Sequence, residues 1–265
     1  MKGLAAASIG GSAGAVAHGY WYERFHVALT KETLDVSGLP AALSGLRIGF
    51  ITDLHRSDTV THELIDRAVQ LLMAQSPDLI VLGGDYVTWG DRRFVGPAAD
   101  ALAPLTAPHG VFAVLGNHDN DHDMPPALTA KGFVVLRDAR TRLTIRGETL
   151  DLAGVRFWTR KPSEIAYVLR GAAPNLILLA HTPMRLIEAS SLAVPLVLSG
   201  HTHGGQIVLP GIVAVAAREF PVIAGAGRRE NTRIFVSRGV GTVYVPVRLN
   251  CPPEVAVLTL RPVEG

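Results

Sequence analysis

The chain has 265 residues, 48% of them hydrophobic and 18% charged, which excludes wholesale disorder and allows an ordinary buried core without staples. The formal net charge of +2, from 25 Lys+Arg against 23 Asp+Glu, is too balanced for a protein whose main partner is nucleic acid. The single cysteine, Cys251, excludes an intrachain disulfide and a Cys-rich zinc module, and no apolar run reaches the ~18–20 residues of a confident membrane span.

In chain order, Leu4 to Ala17 are almost entirely Ala, Gly, Ser and small aliphatic residues after Lys2, and they end in Ala15-Val16-Ala17. This pattern is expected of the apolar region of an export signal, either cleaved or kept as an anchor. Tyr20-Trp21-Tyr22 suits a membrane interface or packing onto the domain. Residues 1–45 are therefore read as a signal- or anchor-like leader with a lead-in segment, and 46–265 as one domain.

From Leu46 the pattern alternates apolar strand and polar loop. Leu46–Thr52 reads as a buried strand. His62–Ser76 carries a helical stripe at Leu64, Ile65, Ala68, Val69, Leu72 and Met73, and Pro77 stops it. Leu79–Leu82 is a strand, Ala98–Leu105 a short helix and Val111–Leu115 a third strand. Leu143–Ile145 and Thr149–Ala153 flank Arg146-Gly147-Glu148 as a hairpin. Leu176–Leu179, Leu196–Leu198, Ile234–Ser237 and Val255–Leu260 complete the strands. The expectation is an α/β sandwich, a βαβα half followed by a more strand-rich half.

Five of these strands end alike: an apolar run stops, a Gly or polar residue follows, then a ligand-type side chain. The endings are Asp53-Leu54-His55, Gly84-Asp85, Gly116-Asn117-His118-Asp119, His181 and Gly200-His201-Thr202-His203. One such ending is an ordinary turn or cap. Five in series imply a common crevice at the C-terminal strand edge, where α/β sheets build their sites. Oxygen and imidazole donors without thiolate suit Mn, Fe, Zn or Ni better than Ca or a structural zinc. Asp53 with His55, and His201 with His203, stand two apart, so on extended backbone each pair presents both side chains to one side. If two cations sit ~3.5–4 Å apart, one carboxylate must bridge them. Asp85, alone after two glycines, is the natural bridge.

In order, these motifs resemble those of the calcineurin-like metallophosphoesterases, over roughly Leu46 to Leu260. The run Gly200-His201-Thr202-His203-Gly204-Gly205-Gln206-Ile207 and the ending Pro246-Val247-Arg248-Leu249-Asn250-Cys251-Pro252-Pro253-Glu254 are similar to the bacterial YkuE/YaeI-type branch. Members of that branch often begin with a twin-arginine signal, a pair this sequence lacks. Some relatives are linked to cleavage of UDP-2,3-diacylglucosamine in lipid A synthesis.

The resemblance implies a four-layer α/β/β/α sandwich with two mixed sheets. It gives one metal to Asp53, His55, Asp85 and His203, and the other to Asp85, Asn117, His181 and His201. The expected cofactors are two divalent ions, manganese first, with iron, zinc or nickel as alternatives. His118 is expected to meet the phosphate and protonate the leaving oxygen, and Asp119 to orient His118. A hydroxide held between the metals is expected to attack phosphorus in line, with Asn117 helping to stabilise charge on the non-bridging oxygens.

Arg56, directly after the first motif, is a candidate contact for a substrate phosphate. Arg92-Arg93 and Arg228-Arg229 could rim the site for anionic head groups. Trp89 and Phe94, in the loop after Asp85, are placed for substrate selection or membrane contact. His18, His26, His62, His109 and His122 are read as non-ligands, and Cys251 as structural.

The expected activity is hydrolysis of a phosphodiester or pyrophosphate, plausibly on a lipid-linked nucleotide sugar. The alternatives are a broad phosphomonoesterase and a metal-bearing scaffold without turnover; scaffolds lose ligands, and here none is missing. An export signal places the domain outside the membrane, and a lipid A precursor places it on the cytoplasmic face. The expectation is a membrane-associated protein on one of these two faces, with no nucleic-acid partner.

Overall fold

In the computed structural model, which describes residues 14–209 and 219–263, the apolar strands sort their side chains by parity. One sheet has the order β1 (Ala28–Val36), β12 (Glu254–Pro262), β2 (Arg47–Ile51), β3 (Leu79–Leu82), β4 (Val111–Ala113) and β5 (Val134–Val135). The other runs β10 (Gly225–Arg229), β11 (Thr232–Val236), β9 (Leu196–Ser199), β8 (Leu176–Ala180), β7 (Glu148–Val155) and β6 (Ala139–Ile145). Both are mixed: β12 is antiparallel to β2 in the first sheet, and β6–β7 and β10–β11 are antiparallel in the second.

Alternate residues of each strand face opposite layers. Ile48, Phe50, Leu79 and Val81 meet Ile177, Leu179, Leu196, Leu198 and Phe235 in a core between the sheets. Ile51, Ile80 and Leu82 point outward, under α1 (His62–Met73) and α2 (Val95–Leu102). Leu176, Leu178, Val197 and Ile234 point outward on the other side, with Ile165 of α4 (Pro162–Val168) and Leu186 of α5 (Leu186–Ser191). A further short helix, α3 (Met124–Thr129), joins the first outer layer through Leu128. This is the four-layer α/β/β/α sandwich. Strands buried on both faces read as continuous apolar runs, which is why the sequence displays them so clearly.

Three local differences from the sequence reading have physical causes. The first helix ends at Met73, three residues short of Ser76, which takes φ +49° ahead of Pro77. The second begins at Val95 and ends at Leu102, because Pro97 in its first turn loses no intrahelical bond. The expected boundary at residue 46 also moves. Ala28–Val36, assigned to the lead-in segment, pairs in parallel with β12 along its whole length and buries Leu34 and Val36 in the inter-sheet core. Its outer half, Thr30-Lys31-Glu32-Thr33, carries the polar face of an edge strand and masks the pattern.

Further upstream, residues 14–21 are helical. Buried Glu23 accepts the amides of Asn250 (3.0 Å) and Cys251 (2.6 Å), tying this segment to the domain's last loop. The first thirteen residues, most of the expected leader, lie outside the described residues. Among the described residues no helix is long and apolar enough to cross a membrane.

Candidate active site

The parallel strands β2, β3 and β4 of one sheet and β8 and β9 of the other all deliver their C-terminal ends to one edge of the sandwich, and the ligand-type residues gather there. The backbone does so by a different route from the extended one expected. Asp53 (φ 54°), His55 (48°), Asp85 (54°), His201 (72°) and His203 (51°) are all left-handed, a conformation costing of order 1–3 kcal/mol each in side-chain-bearing residues. Strain of this kind persists where surrounding structure over-determines it. Here it separates His201 from His203, which join different clusters.

Two triads form. Asp53, His55 and His203 offer ligand atoms all within 4.8 Å of one another, and so do Asp85, His181 and His201. Asp85 links them: its Oδ2 lies 3.0 Å from His181 Nε2 and 3.5 Å from His55 Nε2. Within the first triad, His55 Nε2 is 3.0 Å from His203 Nε2, and Asp53 Oδ1 is 3.6 Å from His203 Nε2. Gly116 and Gly200 are required by this crowding. A Cβ at Gly116 would collide with the Asp85 carboxylate, and one at Gly200 with that of Asp53.

Outer partners set the ring tautomers. His181 Nδ1 lies 2.8 Å from the Gly83 carbonyl, which can only accept, so the Nδ1 proton is fixed and Nε2 is turned inward toward Asp85. His55 Nδ1 meets the Thr88 hydroxyl at 3.1 Å, again leaving Nε2 toward the cluster.

Burial pushes His55 and His201 down to about 3, and His203 well below its usual value, so all three imidazoles are neutral at pH 7. Burial raises Asp53 to about 6. Burial also works to raise Asp85, but His181 beside it reverses the direction and holds the carboxyl below the usual range. Burial disfavours a charged His181, yet Asp85 outweighs it and raises the ring to about 10.

The donor set fits two divalent cations. Buried Asn117 Oδ1 has no hydrogen-bond partner, so it aims an unsatisfied lone pair into a site crowded with acceptors. Orphaned acceptors in a buried cluster are costly unless a cation or water meets them. Seven donors without thiolate are the oxygen–imidazole chemistry of first-row divalent ions.

A family model described as calcineurin-like phosphoesterase matches residues 46–205. The uncharacterized metallophosphoesterase YkuE of Bacillus subtilis is 30% identical, over 98% of this chain and 96% of its own. The phosphodiesterase YaeI of Escherichia coli is 34% identical, over 81% of this chain and 82% of its own. Among solved structures, the NAD nucleotidase of Haemophilus influenzae superposes with TM-score 0.50 at 14% identity, covering 74% of this chain and 45% of that one.

The chain belongs to the calcineurin-like phosphoesterases. It is a metal-dependent phosphoesterase with two His/Asp clusters suited to a dinuclear centre.

Within this calcineurin-like site, His118 is buried beside the first cluster, its ring 4.9 Å from that of His55. Asp119 does not orient it. Both Asp119 oxygens are occupied by backbone amides, those of Asp85 (2.8 Å), Gly116 (2.8 Å), Tyr86 (2.7 Å) and Val87 (3.3 Å). The partner of His118 is instead Trp89, whose backbone N–H donates to Nδ1 at 3.2 Å and whose indole packs 4.4 Å from the imidazole. Left-handed Trp89 (φ 52°) is what turns that amide inward. A neutral His118 therefore carries its proton on Nε2.

Arg56 is not brought to the cluster. Its guanidinium donates to the carbonyls of Ser57 and Val60 and lies 4.9 Å above the Phe94 ring. Through these contacts it closes its own loop. Of the histidines read as non-ligands, His122 pairs with Asp123, His62 with Asp66 and His18 with Glu23. Cys251 is buried with Sγ 3.1 Å from the His203 carbonyl, a structural position.

The sequence reading missed three positioning residues. Thr88 and Trp89 follow Asp85 directly, but only the fold shows that they face His55 and His118. Arg248, within the quoted terminal motif, is fully buried and donates to the carbonyls of Arg238 (2.8 Å), Gly239 (3.0 Å), Gly241 (2.6 Å) and Cys251 (3.1 Å). This grip holds the 238–241 loop, whose Gly241 amide donates to the Asp53 carbonyl at 2.7 Å.

Proposed function

We propose that the chain hydrolyses a phosphodiester or pyrophosphate bond, on a lipid-linked nucleotide sugar such as UDP-2,3-diacylglucosamine. The observation that carries the reading is His118, buried next to two linked ligand triads with its Nδ1 accepting from Trp89, so that Nε2–H remains to be donated. The name of the YaeI relative, a phosphodiesterase, supports a diester.

In this reading Asp53, His55, Asp85 and His203 hold one cation, and Asp85, Asn117, His181 and His201 the other. When bound, the two ions (manganese first, then iron, zinc or nickel) neutralise charge on the phosphoryl oxygens and acidify a water held between them. Asp85 keeps its carboxylate ionised between the two clusters. Gly83 keeps His181 in the ligating tautomer, and Thr88 holds the orientation of the His55 ring. Asn117 spends Oδ1 on a cation and offers its amide N–H to a phosphoryl oxygen. His118 donates an Nε2–H hydrogen bond to the departing oxygen as the P–O bond breaks, and that oxygen takes its proton from solvent.

A membrane-associated placement is part of the same proposal. Trp21 is 72% exposed on the segment that follows the apolar leader, an arrangement suited to a lipid–water interface. Manganese-loaded protein should turn over bis-p-nitrophenyl phosphate and UDP-2,3-diacylglucosamine faster than p-nitrophenyl phosphate. The reverse ranking would make it a phosphomonoesterase, and no turnover with two ions bound would make it a scaffold. Fractionation of cells carrying full-length and Ala17-truncated forms tests placement.

A further inference from the structure

We infer that two aromatic grooves flanking the centre receive the two organic arms of a phosphodiester, the leaving arm on Trp89 and Tyr244 and the retained arm on Trp158 and Tyr167. This assignment rests on the diester reading above and adds which side chains recognise which half of the substrate.

The first groove, of about 270 Å³, is lined by Thr88, Trp89, Thr242, Tyr244 and Val245. Trp89 and Tyr244 are 69% and 79% exposed, with rings 5.8 Å apart at 63°. The groove starts at the chemistry, because the Trp89 indole lies 4.4 Å from the His118 ring and Thr88 holds His55. The second groove, of about 560 Å³, is lined by Arg156, Trp158, Thr159, Tyr167 and Val168 among others. It adjoins the other triad through Phe157, whose ring lies 5.3 Å from His201 and 4.8 Å from Trp158. Trp158 and Tyr167 are 65% and 68% exposed, and Arg160 sits 5.1 Å over the Trp158 ring.

Large aromatic faces left open beside a reaction centre are stacking platforms for planar groups. A monoester, with one organic substituent, has use for one of them; a diester has use for both. The chemistry decides which arm goes where. In hydrolysis the O–H of water adds to phosphorus, the bond to one ester oxygen breaks, and that oxygen takes a proton. The side chain that hydrogen-bonds the leaving oxygen must lie within reach of it, so the leaving arm begins at His118 Nε2–H and runs over Trp89. The other ester oxygen keeps its bond to phosphorus and needs no donor. Its arm leaves past His201 and Phe157 toward Trp158, and departs as the monoester product.

Two esters sharing p-nitrophenol as the leaving arm separate the grooves: thymidine 5′-(p-nitrophenyl phosphate) and methyl p-nitrophenyl phosphate. With manganese-loaded full-length protein, Trp158→Ala/Tyr167→Ala should lower kcat/KM for the thymidine ester about tenfold relative to the methyl ester, mostly through KM, the scale of one lost base–aromatic stack. Tyr244→Ala should lower both by a common factor. Trp158→Phe, which keeps an aromatic face, should restore the preference. Calorimetry adds a binding readout: the Kd of thymidine 5′-phosphate, which carries only the retained arm, should rise about tenfold in the double variant.

Equal losses on both esters in the double variant, or discrimination between them by Tyr244→Ala, would overturn the assignment while leaving the diester reading intact. A wild-type protein that binds two ions and cleaves neither ester would end the diester reading, and the assignment with it.

Discussion

The carboxylate of Asp119 accepts the backbone amide of Asp85 at 2.8 Å, and so fixes the strand-end turn that presents the residue lying between the two clusters. The same side chain takes the amides of Gly116, Tyr86 and Val87. It is therefore a staple between two turns of the site. In Asp119→Asn one acceptor oxygen becomes an NH2 facing amide donors. The expected result is a stability loss of about 2 kcal/mol and fewer than two cations per chain by plasma mass spectrometry. Full metal content with only a shifted acid limb in the rate profile would restore to Asp119 the role of orienting His118.

His118→Ala removes the hydrogen-bond donor to the leaving oxygen and leaves both triads in place. Turnover of a diester with an alkyl leaving group should fall about 10²–10⁴-fold. The loss should be much smaller for a p-nitrophenyl leaving group, whose oxygen needs little protonation. Metal content should stay at the wild-type level. An equal loss for both leaving groups would contradict hydrogen-bond donation by this ring to the leaving oxygen.

Arg248 is a fully buried cation whose partners include four carbonyls and, at 3.4 Å, His203 Nδ1. Arg248→Ala takes the donor from the Arg238, Gly241 and Cys251 carbonyls, while that of Gly239 keeps the Glu254 amide at 2.9 Å, and it frees the loop beneath Asp53. Unfolding free energy should drop by about 4 kcal/mol in denaturant titration. A variant as stable as wild type would show that the loop needs no such clamp.

Asp151, on β7, gives a stability effect away from the site. Burial works to raise its pKa, but Arg142, the Ala173 amide and Arg140 outweigh burial and lower it. A carboxyl with a depressed folded pKa stabilises the fold above its unfolded value near 3.9, and this stability is lost as pH falls through the folded value. Asp151→Asn should therefore lower Tm at pH 7 and flatten its decline below about pH 4. A parallel decline in both proteins would assign the acid sensitivity to other groups.

What the sequence displayed, and what it hid, follows from how each feature is made. The strand ends were legible because strands buried on both faces are unbroken apolar runs, and because Asp53, Asp85, His181 and His201 sit within three residues of where those runs stop. The interleaving of two sheets was carried by the family resemblance and is written in the parity of Leu176–Ala180 and Leu196–Ser199. β1 was hidden because an edge strand is half polar. The conformation of the ligand turns was hidden because left-handed Asp and His leave no compositional mark. Thr88, Trp89 and Arg248 were visible as residues but not as partners, since their work is done by a hydroxyl, a backbone amide and contacts to carbonyls that only the assembled loops supply. Arg56 was misleading for the converse reason: a cation next to a motif turned to its own loop.

Cation stoichiometry, measured by plasma mass spectrometry on dialysed wild-type and Asp85→Asn protein, tests the shared centre most directly. Wild type should hold two ions per chain and lose turnover in excess EDTA, while Asp85→Asn should hold fewer than two and turn over nothing measurable. Two retained ions with full activity in Asp85→Asn, or undiminished wild-type turnover in EDTA, would contradict a dinuclear centre joined through Asp85.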